Sequence, residues 1–103
     1  MIIYEVNLEV DRDIVDAWLP WLHDHVAEMV ALEGFSGALV FEVVEPEAAG
    51  RCFCCQYQLS SRDALQNYLD HHAERMRAEG QRRFPGGFSA ARRILEPVSP
   101  ELR

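Results

Sequence analysis

Ile2-Ile3-Tyr4-Glu5-Val6-Asn7-Leu8-Glu9-Val10 is the stretch that decides the fold. Ile2, Tyr4, Val6, Leu8 and Val10 project to one side, and Ile3, Glu5, Asn7 and Glu9 to the other. Period two with one apolar face is the mark of a half-buried strand. The period then changes. At about 100° per residue Ile14, Trp18, Leu22, Met29 and Leu32 share one stripe, with Trp21 and Val26 at its margins. That predicts a helix from Ile14 to Leu32, capped by Asp11 or Asp13. Pro20 falls inside it, and an interior proline kinks a helix or costs it about 3 kcal/mol. The stripe stays in phase beyond Pro20, so one bent helix is expected, with Gly34 as a left-handed cap after it.

Phe35 to Val44 and Arg51 to Leu59 read as two strands, joined by the polar turn Glu45-Pro46-Glu47-Ala48-Ala49-Gly50 into a hairpin. Ser60-x-x-Asp63 resembles a capping box. It opens a second helix with the stripe Leu65, Tyr68, Leu69, His72 and Met76, ending near Gly80 or shortly after. Phe84-Pro85-Gly86-Gly87 is turn chemistry, and Phe88 to Glu96 gives a fourth strand. The order β-α-β-β-α-β predicts a ferredoxin-like α+β domain over residues 1–97, with 98–103 as a C-terminal tail. Right-handed crossovers place strand one between strands three and four of an antiparallel sheet, with two helices on one face.

Composition limits the function classes. The chain has 103 residues, 49 % of them hydrophobic and 26 % charged, which suits one globular domain. No apolar run exceeds four residues, so a membrane span is not expected. Met1-Ile2-Ile3-Tyr4-Glu5 lacks the positive region of a signal peptide. The net charge of -7 argues against nucleic acid as a partner. Cys52, Cys54 and Cys55 form a tight, odd-numbered cluster, which suggests reduced thiols and a cytoplasmic protein. The ten basic residues are all arginine, nine of them beyond residue 50, whereas residues 1–50 hold eleven of the 17 acids.

Met1-Ile2-Ile3-Tyr4, Trp21-Leu22-x-x-His25, Gly34-Phe35, Gln56-Tyr57-x-Leu59 and His72-Ala73-x-x-x-Arg77-x-Glu79-Gly80-x-x-Arg83-Phe84 resemble a short bacterial family, domain of unknown function 4286. The resemblance spans nearly the whole chain. It implies a ferredoxin-like domain akin to the dimeric α/β-barrel proteins, and it implies no activity and no catalytic residues. Pro20 and Cys52-x-Cys54-Cys55 depart from the family's pattern.

Helices on one side leave the other side of the sheet bare. Ile3, Glu5, Asn7 and Glu9 would stand there with Cys52, Cys54, Gln56 and Gln58, and with Arg92 or Arg93 according to the phase of the last strand. Ala38, Val40, Glu42 and Val44 would join them if Leu39, Phe41 and Val43 face the helices. Two such faces packed across a two-fold axis make a homodimer with a polar lumen in which a small molecule could sit. Glu5, Asn7, Gln56 and Gln58 are therefore candidate ligand contacts.

His25 and His72 fall within the helical stripes, while His23 and His71 point away. Antiparallel helices would bring His25 near Tyr68, and His72 near Trp18 or Trp21. Imidazoles among aromatics can act as acid and base or hold a ligand, and equally can be satisfied core residues. No metal site is expected: Cys52 and Cys54 would hold their side chains ~6–7 Å apart on a strand, too far for one tetrahedral zinc. No glycine-rich phosphate loop is present, since Gly86-Gly87 precedes a strand, and no cofactor is expected. Tyr4 and Tyr57 alternate with core residues, so they face the helices rather than a stacked RNA base. The sequence thus points to a homodimeric module binding a metabolite or partner protein. The alternative is a small cofactor-independent enzyme using His25 and His72.

Overall fold

Strand β1 (Ile2–Val10) occupies an inner position of a four-stranded antiparallel sheet in the computed structural model, which describes residues 1–98. Helix α1 (Val15–Val30), strands β2 (Phe35–Val43) and β3 (Arg51–Leu59), helices α2 (Arg62–His71) and α3 (Ala73–Arg83), and strand β4 (Phe88–Leu95) follow. The sheet order β2-β3-β1-β4 and the helices on one face make the ferredoxin-like α+β arrangement. Most of the expected tail, residues 99–103, lies outside the described residues. Among the described residues no helix is long and apolar enough to cross a membrane.

The alternation read in β1 sets the core. Ile2, Tyr4, Val6, Leu8 and Val10 are buried beneath the helices beside Phe53, Cys55, Tyr57 and Leu59 of β3. Tyr4 meets Tyr57 and Tyr68 with ring centroids 6.2 and 5.7 Å apart, and Phe35 stands edge-on to Tyr57 and Tyr68. A second aromatic group joins Trp18 to Trp21, Phe53 and Phe88 at 5.4–6.0 Å. Each large side chain so buried contributes roughly 1.5–3 kcal/mol by leaving water.

Helix α1 runs as one element through Pro20, which is exposed. The carbonyl that proline leaves without its helical partner therefore faces water, where the loss is cheapest. Its start differs from the expected aspartate cap: Ile14 takes the cap position with no side-chain hydrogen bond. Asp11 is already engaged through its backbone, donating to Gly87 O and accepting from Ile14 N. At α2 the cap is Ser61 rather than Ser60, its Oγ accepting from Ala64 N at 3.1 Å.

Two further departures bear on function. The second helix is two helices, broken at His72 (φ -128°, ψ -31°). An unbroken helix would keep His72 in the buried stripe. At the break small Ala73 is buried instead, with Met76 and Gly80, and His72 is left half-buried.

The phase of β2 is also reversed. Phe35 pairs with Leu59 and Gly37 with Gln58, so Ser36 is an extra residue in the ladder. One inserted residue turns every later side chain to the other face. Ala38, Val40 and Glu42 therefore lie on the helix side, while Leu39, Phe41 and Val43 join the open face beside Gln56, Cys54 and Cys52. On β4, Arg93 pairs with Glu5 and stands on the open face; Arg92 pairs with Val6 and stands on the helix side.

Candidate functional site

The residues singled out from sequence divide between two places on opposite faces of the sheet. The first is a cavity of about 60 Å³ between the helices and the sheet. Trp21, Leu22, His25 and Met29 of α1 line it, as do Tyr68 of α2, Met76, Arg77 and Gln81 of α3, and Tyr4, Tyr57, Phe88 and Arg92 from the sheet. Arg77, Gln81 and Arg92 are exposed and mark its rim.

Helical spacing stacks the His25 ring on Trp21 one turn earlier, centroids 4.8 Å apart and planes 24° apart. Trp21 is held edge-on by Phe84 and packs on Phe88. Gly80 lets α3 come this close: a Cβ there would lie 2.8 Å from Trp21 Cη2 and 3.0 Å from Phe88 Cζ. Burial pushes the His25 imidazole below its ordinary value of 6.5; Glu79 draws it back up and Arg92 pushes it further down. The ring is thereby kept neutral near pH 7, one nitrogen a donor and the other an acceptor. Its Nδ1 is buried and has no hydrogen-bond partner in the protein. Burial raises the Tyr68 hydroxyl to about 12, with Tyr4 acting in the same sense and Arg77, Arg92 and Arg75 against it. Arg77 Nη2 donates to Tyr4 Oη at 2.9 Å, which leaves the Tyr4 proton available.

His72 is not part of this cavity. It stacks on Tyr68, centroids 6.4 Å apart, with Nδ1 3.2 Å from Arg75 Nη2. His25 therefore shares the cavity with Tyr68 while stacking on Trp21, and His72, expected near Trp18 or Trp21, stacks on Tyr68 instead. Trp18 stands behind Trp21, fully buried with Nε1 unpartnered, and does not line the cavity.

The second place is the open face. Glu5 is only 2 % exposed there because its neighbours fold over it. Asn7 Nδ2 donates to Oε2 at 2.8 Å, Gln56 Nε2 to Oε1 at 3.1 Å, and Arg93 Nε to Oε2 at 2.6 Å. Burial pushes the carboxyl up, but those hydrogen bonds and the Arg93 charge together outweigh it and hold Glu5 at about 2. Gln58 lies further along the same face opposite Ile3. Cys52 and Cys54 share this face, and burial beside Glu5 raises the Cys54 thiol. Cys55 points to the core, where burial pushes it to about 11. Neither thiol is set up as a nucleophile.

Sequence reasoning missed Arg77, Gln81, Arg92, Met29 and Met76 as cavity residues. Arg92 was ambiguous only through the phase of β4. Phe88 and Ala90 alternate onto the helix side and would have carried Arg92 with them.

A family profile described as "Domain of unknown function (DUF4286)" matches residues 1–98. No curated protein matches. Among solved structures, the chain resembles an antibiotic biosynthesis monooxygenase, so named provisionally, from Deinococcus radiodurans: TM-score 0.74, 12 % identity, covering 96 % of this chain and 94 % of that one. It also resembles SnoaB, a cofactor-independent oxygenase from Streptomyces nogalater, with TM-score 0.68, 11 % identity and coverage of 99 % and 98 %. Rv0793 from Mycobacterium tuberculosis matches with TM-score 0.66, 17 % identity and coverage of 98 % and 99 %. At such identities the likeness is one of fold.

Proposed function

The chain belongs to the DUF4286 family, and from that premise we propose that it is a cytoplasmic, homodimeric module that binds a small molecule in the cavity between helices and sheet. The observation that carries this reading is the cavity itself, walled by the His25 ring stacked on Trp21 and by Tyr4, Tyr68, Met29 and Met76. About 60 Å³ has room for roughly two waters at ~30 Å³ each, or for part of a ligand that displaces them. Stacking on Trp21 fixes the plane of the His25 ring before any ligand arrives.

Pairing of two open faces is supported by the bulge at Ser36. It turns Val43, and Leu39 and Phe41, 53 % and 46 % exposed, onto the face that already holds Ile3 and Leu95. Strands of this length at ~4.8 Å spacing give a face of roughly 600 Å². That approaches the ~800 Å² each partner contributes to a standard interface. The Glu5 cluster, closed within one chain, would be buried there without leaving an unmet carboxylate.

An enzymatic reading rests on the same imidazole. His25, whose neutral form burial favours, is the one imidazole lining the cavity. The two-histidine version loses support, because His72 lies outside the cavity.

Tryptophan fluorescence during a titration with butyramide, a small neutral probe, tests the site. The reading expects a saturable change that disappears in Trp21→Phe and weakens in His25→Phe. An unchanged signal for every small probe, charged or neutral, would contradict it.

A further inference from the structure

We propose that the ligand of this cavity is a small organic acid, its carboxylate held between Arg77 and Arg92 at the rim and its short apolar tail directed towards Met29 and Met76. The inference rests on the cavity being the ligand site. In a chain with 17 acidic and 10 basic residues, arginines have ample carboxylates to choose from. Arg51 pairs with Glu42, Arg62 with Glu96, and Arg93 with Glu5. Arg77 and Arg92 stand outside these pairs, as do Arg12, Arg75, Arg82 and Arg83, but of these six only Arg77 and Arg92 line the cavity. Among the described residues neither forms a salt bridge, and the one hydrogen bond Arg77 makes is to a neutral phenol.

Their placement is convergent. Arg77 comes from α3 and Arg92 from β4, so they approach the same mouth from the helix layer and from the sheet. Both act on the buried Tyr68 hydroxyl, opposing the rise that burial imposes, and Arg92 also acts on His25. Glu79 is the carboxylate whose charge reaches His25, and it does not line the cavity. A positive mouth on a protein of net charge -7 is local against the overall field, and such focusing draws an anion to that point. The guanidinium fork matches a carboxylate bidentately. The Tyr4 proton then supplies a neutral polar contact further in.

Size restricts the rest. About 60 Å³ lined by Leu22, Met29, Met76 and aromatic rings admits a short chain of few carbons, and methionine can adjust its rotamers around it. A bare inorganic anion would leave that apolar interior empty.

Fluorescence titrations of the 103-residue chain with butyrate, butyramide and inorganic phosphate, at matched ionic strength, test this. Butyrate should bind at least tenfold more tightly than butyramide in low salt, and the gap should narrow as salt rises. The double variant Arg77→Gln/Arg92→Gln, altered only at exposed positions, should bring the two to parity. Equal binding of butyrate and butyramide to the unaltered protein would overturn the acid assignment and leave the cavity reading intact. Phosphate matching butyrate would also overturn it, since the tail would then contribute nothing. Failure of both organic probes would remove the cavity reading and this inference with it.

Discussion

Replacing Glu5 by glutamine keeps the shape of the side chain and removes the charge that Asn7, Gln56 and Arg93 surround. A carboxyl held at about 2 in the fold, against an ordinary 4.5, contributes roughly 3 kcal/mol at neutral pH, at about 1.36 kcal/mol per tenfold difference in acidity. Arg93 has a side chain that is 65 % exposed, so water and salt screen its share, and about 2 kcal/mol is the expected loss. The pH dependence follows from the sign of the shift. The folded protein holds Glu5 ionised to lower pH than the unfolded chain does. Between 4.5 and about 2 the unfolded state therefore binds the extra proton. The contribution is complete above 4.5 and fades as pH falls towards 2. Urea unfolding of the unaltered protein and Glu5→Gln, at one protein concentration and at steps from pH 7 to pH 2.5, reads the difference directly. Other carboxylates titrate in both proteins and cancel. The gap should be near 2 kcal/mol at pH 7 and should shrink steadily below pH 4.5. A gap that stays constant across that range would refute the account of this cluster.

Gly80→Ala would ordinarily strengthen a helix by ~1 kcal/mol, but here the added methyl meets Trp21 and Phe88. A net loss of about 1–3 kcal/mol is expected in thermal unfolding, and a rise in Tm would show that α3 does not approach Trp21 so closely. His25, kept below 6.5 by burial, binds a proton less readily folded than unfolded. Stability should therefore fall as pH drops below 6.5, and His25→Phe should lack that part of the slope; identical slopes would argue against a buried neutral ring. Ser61→Ala removes the hydrogen bond to Ala64 N and should cost about 1 kcal/mol, whereas Ser60→Ala should cost little; the reverse order would restore the cap to Ser60.

Much of the architecture can be read from side-chain periods. The alternation of Ile2 to Val10 separates Tyr4 from Glu5, and the structure keeps them on opposite faces. The stripe through Trp18, Leu22 and Met29 survives Pro20 because only one hydrogen bond is lost, on the solvent side. What is not legible is anything that shifts a period by one. The bulge at Ser36 is announced only by the single glycine beside it, Gly37, a weak signal, and it reverses Leu39, Phe41 and Val43. The break at His72 has no helix-breaking residue either, and it moves that histidine out of the stripe. The site suffers most from such shifts, because a functional side chain is defined by direction. His25, Trp21 and Tyr68 come together as their spacing allows. His72 drops out, and Arg92 enters through a phase that the doubled arginine conceals.

Nitrogen spectra of uniformly labelled protein during a butyrate titration compare the two faces of the sheet in one experiment. A neutral His25 ring whose nitrogen resonances move with the ligand is expected, while the side-chain amides of Asn7 and Gln56 stay still. Movement of those amides with His25 unchanged would place the ligand on the open face and contradict the cavity reading.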